Sequence, residues 1–123
     1  MNPILELKKE VTPIAGIKTD TISINYTQNN QTIQPHTILL FVPGNPGCIG
    51  WYSKPFLYNI IQKLGTGHAA HGISYAGHGF GHDFHVKTPD EMHPFINNKQ
   101  RALHTTQGQV HHKIHWIDSL LHQ

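Results

Sequence analysis

A turn rich in glycine and proline is the segment of this chain whose residue types could do chemistry. It reads Val-Pro-Gly-Asn-Pro-Gly at residues 42–47 and directly follows an apolar run, Thr-Ile-Leu-Leu-Phe, at residues 37–41. Because glycine lets backbone N–H groups come close to a ligand, Gly44 and Asn45 could direct an amide at a developing negative charge, as an oxyanion hole does. The same residues also suit a tight turn that merely joins a strand to a helix.

Acyl transfer would also need a nucleophile, and the chain has four serines. They are Ser23, Ser53, Ser74 and Ser119. Ser74 lies in Gly-Ile-Ser-Tyr-Ala-Gly, which imitates the G-x-S-x-G motif of a nucleophile elbow. An elbow follows an apolar strand and opens a helix, whereas Ser74 comes after Gly-Thr-Gly-His-Ala-Ala-His and before Gly-His-Gly-Phe-Gly-His. We therefore interpret Ser74 as a decoy.

The twelve histidines raise the alternative of a metal site. One set stands at the spacing of a helix stripe, namely His111, His115, Asp118 and His122. A second set lies in a glycine-rich segment, namely His78, His82, Asp83 and His85. Neither set shows a Cys–Cys or H-E-x-x-H spacing, so we favour a solvated polar face and a loop, and expect no metal or cofactor. The single cysteine, Cys48, is interpreted as a packing residue.

Length and composition limit the remaining classes of protein. A chain of 123 residues suits one domain, with no internal boundary in sight. Nine Lys and Arg against seven Asp and Glu form no basic stripe, so no nucleic-acid partner is expected. One cysteine excludes an internal disulfide framework and fits a reducing compartment. No signal peptide is visible, and no window of apolar residues is long enough to predict a transmembrane segment.

The pattern of apolar and polar residues predicts the strands that would position the turn. Residues 4–10 are predicted to be an edge strand and residues 21–27 a half-buried strand. The continuous apolar run at residues 37–42 predicts a central strand covered on both faces. Residues 72–76 predict a short strand. Together with two helices, this order predicts an α/β fold whose sheet stops early.

Each of the two predicted helices has a start signal and an apolar face. The first begins at the capping residue Ser53, carries Pro55 in its first turn and ends at Gly65. The second begins at Thr106, which forms a capping-box pattern with Gln109. The predicted buried faces are Phe56, Leu57, Ile60, Ile61 and Leu64 in the first helix, and Val110, Ile114, Ile117 and Leu121 in the second.

Four segments of the chain, taken in order, resemble the lipid droplet-associated hydrolase family. They read LLFVPGNPG, WYSKPFLYNI, ISYAGHG and QVHHKIHWI and lie within residues 37–118. The resemblance implies the N-terminal portion of an α/β-hydrolase fold, with a central, mostly parallel sheet and flanking helices. It implies hydrolysis of a lipid carboxylic ester, a sterol ester or an acylglycerol, by a Ser-His-Asp triad. In the implied site the turn at Gly44 presents the N–H of Asn45 as oxyanion donor, and His78 lines the pocket.

The resemblance also implies where the missing chemistry lies. The family's G-H-S-x-G motif would come one strand after the last helix. The resemblance therefore implies that residues 1–123 are a partial domain, truncated before the nucleophile elbow, with no catalytic residue in this chain and no activity alone. The expected partners are a lipid ester and the lipid-droplet surface. The expected location is the lipid droplet, on its cytoplasmic side, or the endoplasmic reticulum. Two alternatives stay open, a non-catalytic lipid-droplet binding module from a truncated isoform and a histidine-rich metal-binding protein.

Overall fold

A mixed sheet and two helices make up the computed structural model, which describes residues 2–44, 47–76 and 106–122. The strands are β1 (Ile4–Ile14), β2 (Ile17–Gln28), β3 (Gln31–Thr32), β4 (Thr37–Phe41) and β5 (His68–Ile73). The helices are α1 (Asn59–Leu64) and α2 (Thr106–Leu121), and α1 is preceded by a 3₁₀ turn (Ile49–Trp51) and a π-helical turn (Ser53–Tyr58). The predicted α/β class is confirmed.

A long antiparallel hairpin of β1 and β2 starts the sheet. Its two-residue turn has Ala15 at a φ of 51° and Gly16 at 79°, the positive values whose twist matches that of paired strands. Because the turn is tight, pairing runs without a break from Ile14 with Ile17 to Ile4 with Thr27. The strands predicted at residues 4–10 and 21–27 are confirmed, and both extend further than predicted.

The order of the strands is β1-β2-β5-β4, with the short β3 paired to β2. Strands β4 and β5 are parallel, and the chain between them crosses over through α1, as a parallel connection requires. The other pairings, β1 with β2, β2 with β3 and β2 with β5, are antiparallel. The described part of the sheet is therefore mixed, not mostly parallel as expected, because the hairpin supplies most of its pairings.

Strand β4 lies at one end of this order. Ile38, Leu39 and Leu40 are all exposed, and Phe41 is partly covered by the rings of Tyr52 and Phe56, whose centroids lie 5.1 and 5.7 Å away. The prediction of a central strand covered on both faces is therefore wrong for the part of the chain that the structure describes. The physical reason is that the two described helices pack mainly over the other strands, and β4 joins their clusters only through Phe41.

Strand β5 begins and ends earlier than the strand predicted at residues 72–76. It covers His68–Ile73, so Ser74 follows the strand rather than lying within it. Alanine and histidine, which fill most of β5, are weak strand formers, so the local pattern did not reveal it. One part of the case against Ser74 as a nucleophile is thereby wrong, since a largely buried strand does precede it.

The first helix begins differently from the prediction. Ser53 makes no capping hydrogen bond, because its hydroxyl donates to the carbonyl of Gly50 at 3.0 Å. The N–H of Leu57 donates to the carbonyl of Tyr52, five residues back, at 2.9 Å, which is the bond of a π-helical turn. The helix ends before Gly65, whose φ of 95° suits glycine, as predicted.

Each face of the sheet carries one hydrophobic cluster. On the first face, the α1 segment packs on the sheet through a buried group made of Ile22, Ile24, Ile49, Leu57, Ile61 and Ala70. Phe56 and Leu64, also predicted to be buried there, are exposed. On the second face, Trp116 of α2 packs against Ile14 and Ile73. The helices therefore cover opposite faces of the sheet.

Helix α2 buries a different side from the one predicted. Val110, Ile114, Ile117 and Leu121 are exposed, and the buried residues are Gly108, His112 and Trp116. The reason is specific pairing, because His112 finds a hydrogen-bond partner on β2 and Trp116 finds an apolar site between two strands. Among the residues described, no helix combines the length and apolar character needed to cross a bilayer.

Candidate functional site

The candidate site lies where the parallel strands β4 and β5 end. Residues 42–44 leave β4 and residues 74–76 leave β5, so both segments stand at the same edge of the sheet. In sheets with parallel strands, ligands bind beyond this carboxyl edge. The described start of the turn therefore lies at the edge where α/β proteins bind ligands.

Gly44 lies on the open side of the turn. It is exposed, and a Cβ atom added to it would meet no described atom within 4 Å. Among the described glycines a positive φ occurs at Gly16 and Gly65, so the backbone at Gly44 does not itself require glycine. As far as the described residues show, the missing side chain leaves free space beside the turn. Asn45 and His78, the predicted oxyanion donor and pocket residue, lie outside the described residues.

The other side of the turn is fastened to the end of β5. The N–H of Tyr75 donates to the carbonyl of Gly47 at 2.8 Å, and the N–H of Ile49 donates to the hydroxyl of Ser74 at 2.9 Å. Gly47 also lies against the Tyr75 ring, and a Cβ added to it would collide with the Tyr75 Cγ. Glycine is therefore required at residue 47 by close packing, in contrast to residue 44.

Ser74 has the surroundings of a structural serine. It is 1% exposed, and its hydroxyl accepts a hydrogen bond from a backbone amide, that of Ile49. Its own N–H donates to the carbonyl of Asp20 at 2.9 Å. A nucleophile elbow, in contrast, presents its serine hydroxyl at the surface of the site. Ser74 thus ties the end of β5 both to the turn and to β2.

Cys48 lies beside the turn and is half-buried. Burial, together with the nearby charge of Asp20, raises the pKa of the Cys48 thiol above its ordinary value. The thiolate is the reactive form of cysteine, and a raised pKa keeps the thiol protonated at neutral pH. The environment of Cys48 is therefore that of a packing residue.

Helix α2 reaches the end of β5 through the side-chain amide of Gln109. The N–H of Ala76 donates to Gln109 Oε1 at 3.0 Å, and Gln109 Nε2 donates to the carbonyl of Ala76 at 3.1 Å. The amide thus pairs with both backbone groups of one residue, much as a neighbouring strand would. The sequence pattern assigned Gln109 to a capping box with Thr106, and it gave no sign of this contact between α2 and β5.

A chain of hydrogen bonds also holds α2 on the β1–β2 hairpin. Lys113 Nζ donates to His112 Nδ1 at 2.6 Å. Because Nδ1 accepts, Nε2 carries the ring proton and donates to Thr19 Oγ1 at 2.9 Å, and the Thr19 hydroxyl donates to the carbonyl of Ile17 at 2.9 Å. His112 is fully buried, so these hydrogen bonds replace those that its ring would otherwise form with water.

Burial governs the charge of the His112 and Lys113 side chains. Burial first, and then the charges of Lys113 and His115, lowers the pKa of His112 to about 4, so its ring is neutral at pH 7. Burial lowers the pKa of Lys113 to about 8, so the ammonium is mostly charged at pH 7. Lys113 Nζ lies 5.2 Å from the centroid of the Tyr75 ring, a cation–π distance.

The residues that brace the turn were not recognised in the sequence as functional, although a signal was present. Ser74 and Tyr75 lie in ISYAGHG, and Gln109, His112 and Lys113 lie in QVHHKIHWI, two of the segments that carry the family resemblance. The structure brings these two segments together at the end of β5. Two segments that are separate in the sequence are therefore in contact in the structure.

The histidine-rich stripe of α2 lies mostly in solvent. His111 and His115 are exposed, and His122 Nε2 lies 3.2 Å from Asp118 Oδ1 in an exposed pair. Within residues 2–44, 47–76 and 106–122, no group of three or more His, Cys, Asp or Glu side chains could hold a metal ion. The second predicted set, at residues 78–85, lies outside these ranges.

A separate cleft of about 770 Å³ lies on the α2 face of the sheet. Hydroxyl groups of Thr21 and Ser23 line one part, and the apolar side chains of Ile38, Leu40 and Ile117 line another. Among the described residues from 42 to 49, none lines this cleft. The cleft is therefore distinct from the candidate site.

Comparison with known proteins adds one finding. A family model described as lipid-droplet associated hydrolase matches residues 35–123. The matched range contains β4, the turn, α1, β5 and α2, which are the elements that build the candidate site, and it begins after the β1–β2 hairpin. No curated protein and no solved structure matches the chain.

Proposed function

The chain belongs to the lipid-droplet associated hydrolase family, and on that premise we propose that it contributes the oxyanion-hole turn of a hydrolase that cleaves lipid carboxylic esters. One observation carries the proposal. Residues 42–44, the described start of the turn, follow β4 at the carboxyl edge of a parallel strand pair, and the whole turn lies within the range that the family model matches. Sterol esters and acylglycerols are the proposed substrate class.

The proposed fold is that of an α/β-hydrolase, with residues 1–123 forming one partial domain. Two features support it. A strand, a loop and a helical segment follow each other at residues 37–64, and the oxyanion hole of this fold takes one of its amides from such a loop. In addition, β4 is apolar on both faces, which suits a strand with a second neighbour in a larger sheet.

In the proposed reaction a serine hydroxyl attacks the ester carbonyl, and the carbonyl oxygen becomes an oxyanion. The N–H of Asn45 donates to that oxygen, and the free space beside Gly44 admits the ester group. In this proposal the serine, its histidine base and the aspartate lie outside residues 1–123. Their separation from the turn makes residues 1–123 inactive alone, since an oxyanion donor without nucleophile and base does not transfer acyl groups.

Ester hydrolysis by purified protein tests this proposal. The 123-residue chain should show no turnover of a short-chain ester above background and no labelling of Ser74 by a fluorophosphonate. A longer chain, with a G-x-S-x-G elbow and the later aspartate and histidine, should hydrolyse the same ester. Turnover by the 123-residue chain that disappears in the Ser74→Ala variant would show that Ser74 is the nucleophile.

A second candidate function is a non-catalytic module that binds the lipid-droplet surface. The family description implies association with lipid droplets, and the location proposed here is their cytoplasmic side. The observation that favours this candidate is the row of exposed apolar side chains along α2, Val110, Ile114, Ile117 and Leu121. Flotation with artificial droplets separates the two functions, because a droplet-binding chain floats whether or not it hydrolyses esters. The Ile114→Asp variant should float less, and His111→Asp is the matched control.

A further inference from the structure

A bridge between helix α2 and the turn is formed by residues 74–76, which directly follow β5. Each of these three residues makes one of the connecting contacts. Ala76 pairs with Gln109, Tyr75 bonds Gly47, and the Ser74 hydroxyl bonds Ile49. A short backbone segment that is held at one end transmits its position to its neighbours. The conformation of residues 74–76 therefore sets where the far side of the turn can lie.

We infer that Gln109 is a positioning residue for the turn after β4, because its side-chain amide fixes the segment to which residues 47–49 are bonded. Use of the turn as an oxyanion hole rests on the proposed function, whereas the positioning itself does not. The contact is well suited to the role. It satisfies the N–H and the carbonyl of Ala76 together, so the peptide groups on both sides of that residue are held.

The orientation of the Gln109 amide is itself fixed by Lys113. An ammonium group can only donate hydrogen bonds, and Lys113 Nζ lies 3.1 Å from Gln109 Oε1. The oxygen therefore faces Lys113 and the Ala76 N–H, which leaves the amide nitrogen facing the Ala76 carbonyl. Because the same ammonium group lies over the Tyr75 ring, one side chain supports two of the residues in the bridge.

The bridge is closely packed against the turn. The Tyr75 ring fills the space where residue 47 would carry a Cβ, and the Ile49 side chain is fully buried. A shift of Tyr75 must therefore move Gly47 or open the bond between them. For this reason a substitution on α2 should be felt in the turn, although α2 and the turn are far apart in the sequence.

Amide hydrogen exchange in the 123-residue chain, measured by NMR, tests the inference. Gln109→Met has similar length and removes both bonds to Ala76. The exchange rates of the Tyr75 and Ile49 amides should rise roughly 10- to 30-fold, the effect of two ordinary hydrogen bonds. The amide of Ile24 on β2 should be unchanged. Gln107→Met is the matched control, since Gln107 is an exposed glutamine on the same helix.

A second variant keeps the test decisive. Gln109→Glu retains the acceptor for the Ala76 N–H and for Lys113 but removes the donor to the Ala76 carbonyl, so it should restore part of the protection lost in Gln109→Met. Unchanged exchange at Tyr75 and Ile49 in both variants would overturn the inference. An equal rise at Ile24 would also overturn it, since that result means general destabilisation. Failure of ester hydrolysis, which would count against the proposed function, leaves these readouts untouched.

Discussion

The two edges of the described sheet differ in length and in chemistry. Strand β1 has eleven residues, and its Lys8 and Glu10 side chains form an exposed ion pair at 2.9 Å. Strand β4 has five residues and exposes Ile38, Leu39 and Leu40. Charged side chains on an edge strand oppose pairing with another strand, whereas an exposed apolar edge favours it. Strand β1 is thus built as an edge, and β4 is built as an interior strand.

This difference bears on the candidate site, because the turn at residues 42–47 leaves the apolar edge. A further parallel strand paired with β4 would end beside that turn, at the same carboxyl edge of the sheet. That is where the proposed hydrolase needs its nucleophile. The comparison therefore connects the composition of one strand to the placement of a reaction, and it can be tested at each edge separately.

The largest expected effect is a difference in hydrogen exchange between the two edges. Among the described residues, β4 has one neighbour and little cover, whereas the hairpin is paired along its whole length. We expect the β4 amides to exchange roughly 100-fold faster than those in the middle of β2, as in regions of low local stability. Strong and uniform protection across residues 37–75 in a soluble monomer would show that β4 needs no further neighbour.

The second prediction concerns the β1–β2 hairpin, to which α2 is bonded through His112 and Thr19. The pKa of His112 is about 4 in the folded chain, below the ordinary 6.5, so the unfolded chain binds more protons between these pH values. Stability is then fully present above about pH 6.5 and falls as the pH drops toward 4, by an amount on the order of 3 kcal/mol. Urea unfolding at pH 7, 5 and 4, followed by tryptophan fluorescence, measures it.

A substitution and its neighbour isolate this contribution. In His112→Gln the dependence of stability on pH should become shallower, because the titrating ring is gone. In His111→Gln it should match that of the original chain, since His111 is exposed. If His112→Gln and the original chain lose stability in parallel on acidification, His112 does not control the docking of α2.

The third prediction compares the two glycines that flank the turn. Gly47→Ala places a Cβ in collision with the Tyr75 ring, an overpacking that typically costs about 1–3 kcal/mol. Gly44→Ala meets no described atom within 4 Å and should change stability by less than about 0.5 kcal/mol. Urea denaturation of the two variants compares them directly. Equal stability would mean that the turn is not packed on the end of β5.

The sequence predicted the helices and strands better than it predicted which of them lie next to one another. The apolar run at residues 37–41 correctly indicates a strand. Its composition is that of a strand inside a sheet, but the composition does not show which strands lie next to it. The strand at His68–Ile73 was misplaced because alanine and histidine carry little strand signal. In α2 the apolar periodicity identified the helix and the wrong face, since a buried His112 depends on Thr19, 93 residues away.

The candidate site was predicted in the same partial way. The glycine-rich turn was singled out by its residue types, and the structure places its start, through Gly44, at the carboxyl edge of the sheet. The bracing by Tyr75 and Gln109 escaped prediction, because it depends on a contact between segments 33 residues apart in the chain. Local patterns do not report contacts of that kind.

The most direct test of the central claim, that the turn directs an amide at the oxyanion, is the turnover number of a longer, hydrolytically active chain that carries Gly44→Val. The valine side chain would fill the free space beside the turn without meeting described atoms. In the proposed site the ester group lies in that space, so the valine would hold the carbonyl oxygen away from the Asn45 N–H and this hydrogen bond would be lost. We predict an unchanged melting temperature and a kcat lower by about 10²–10³-fold, the usual effect of losing one oxyanion donor. Full kcat in a folded Gly44→Val enzyme would contradict the claim and leave the turn as a connection between β4 and the helix.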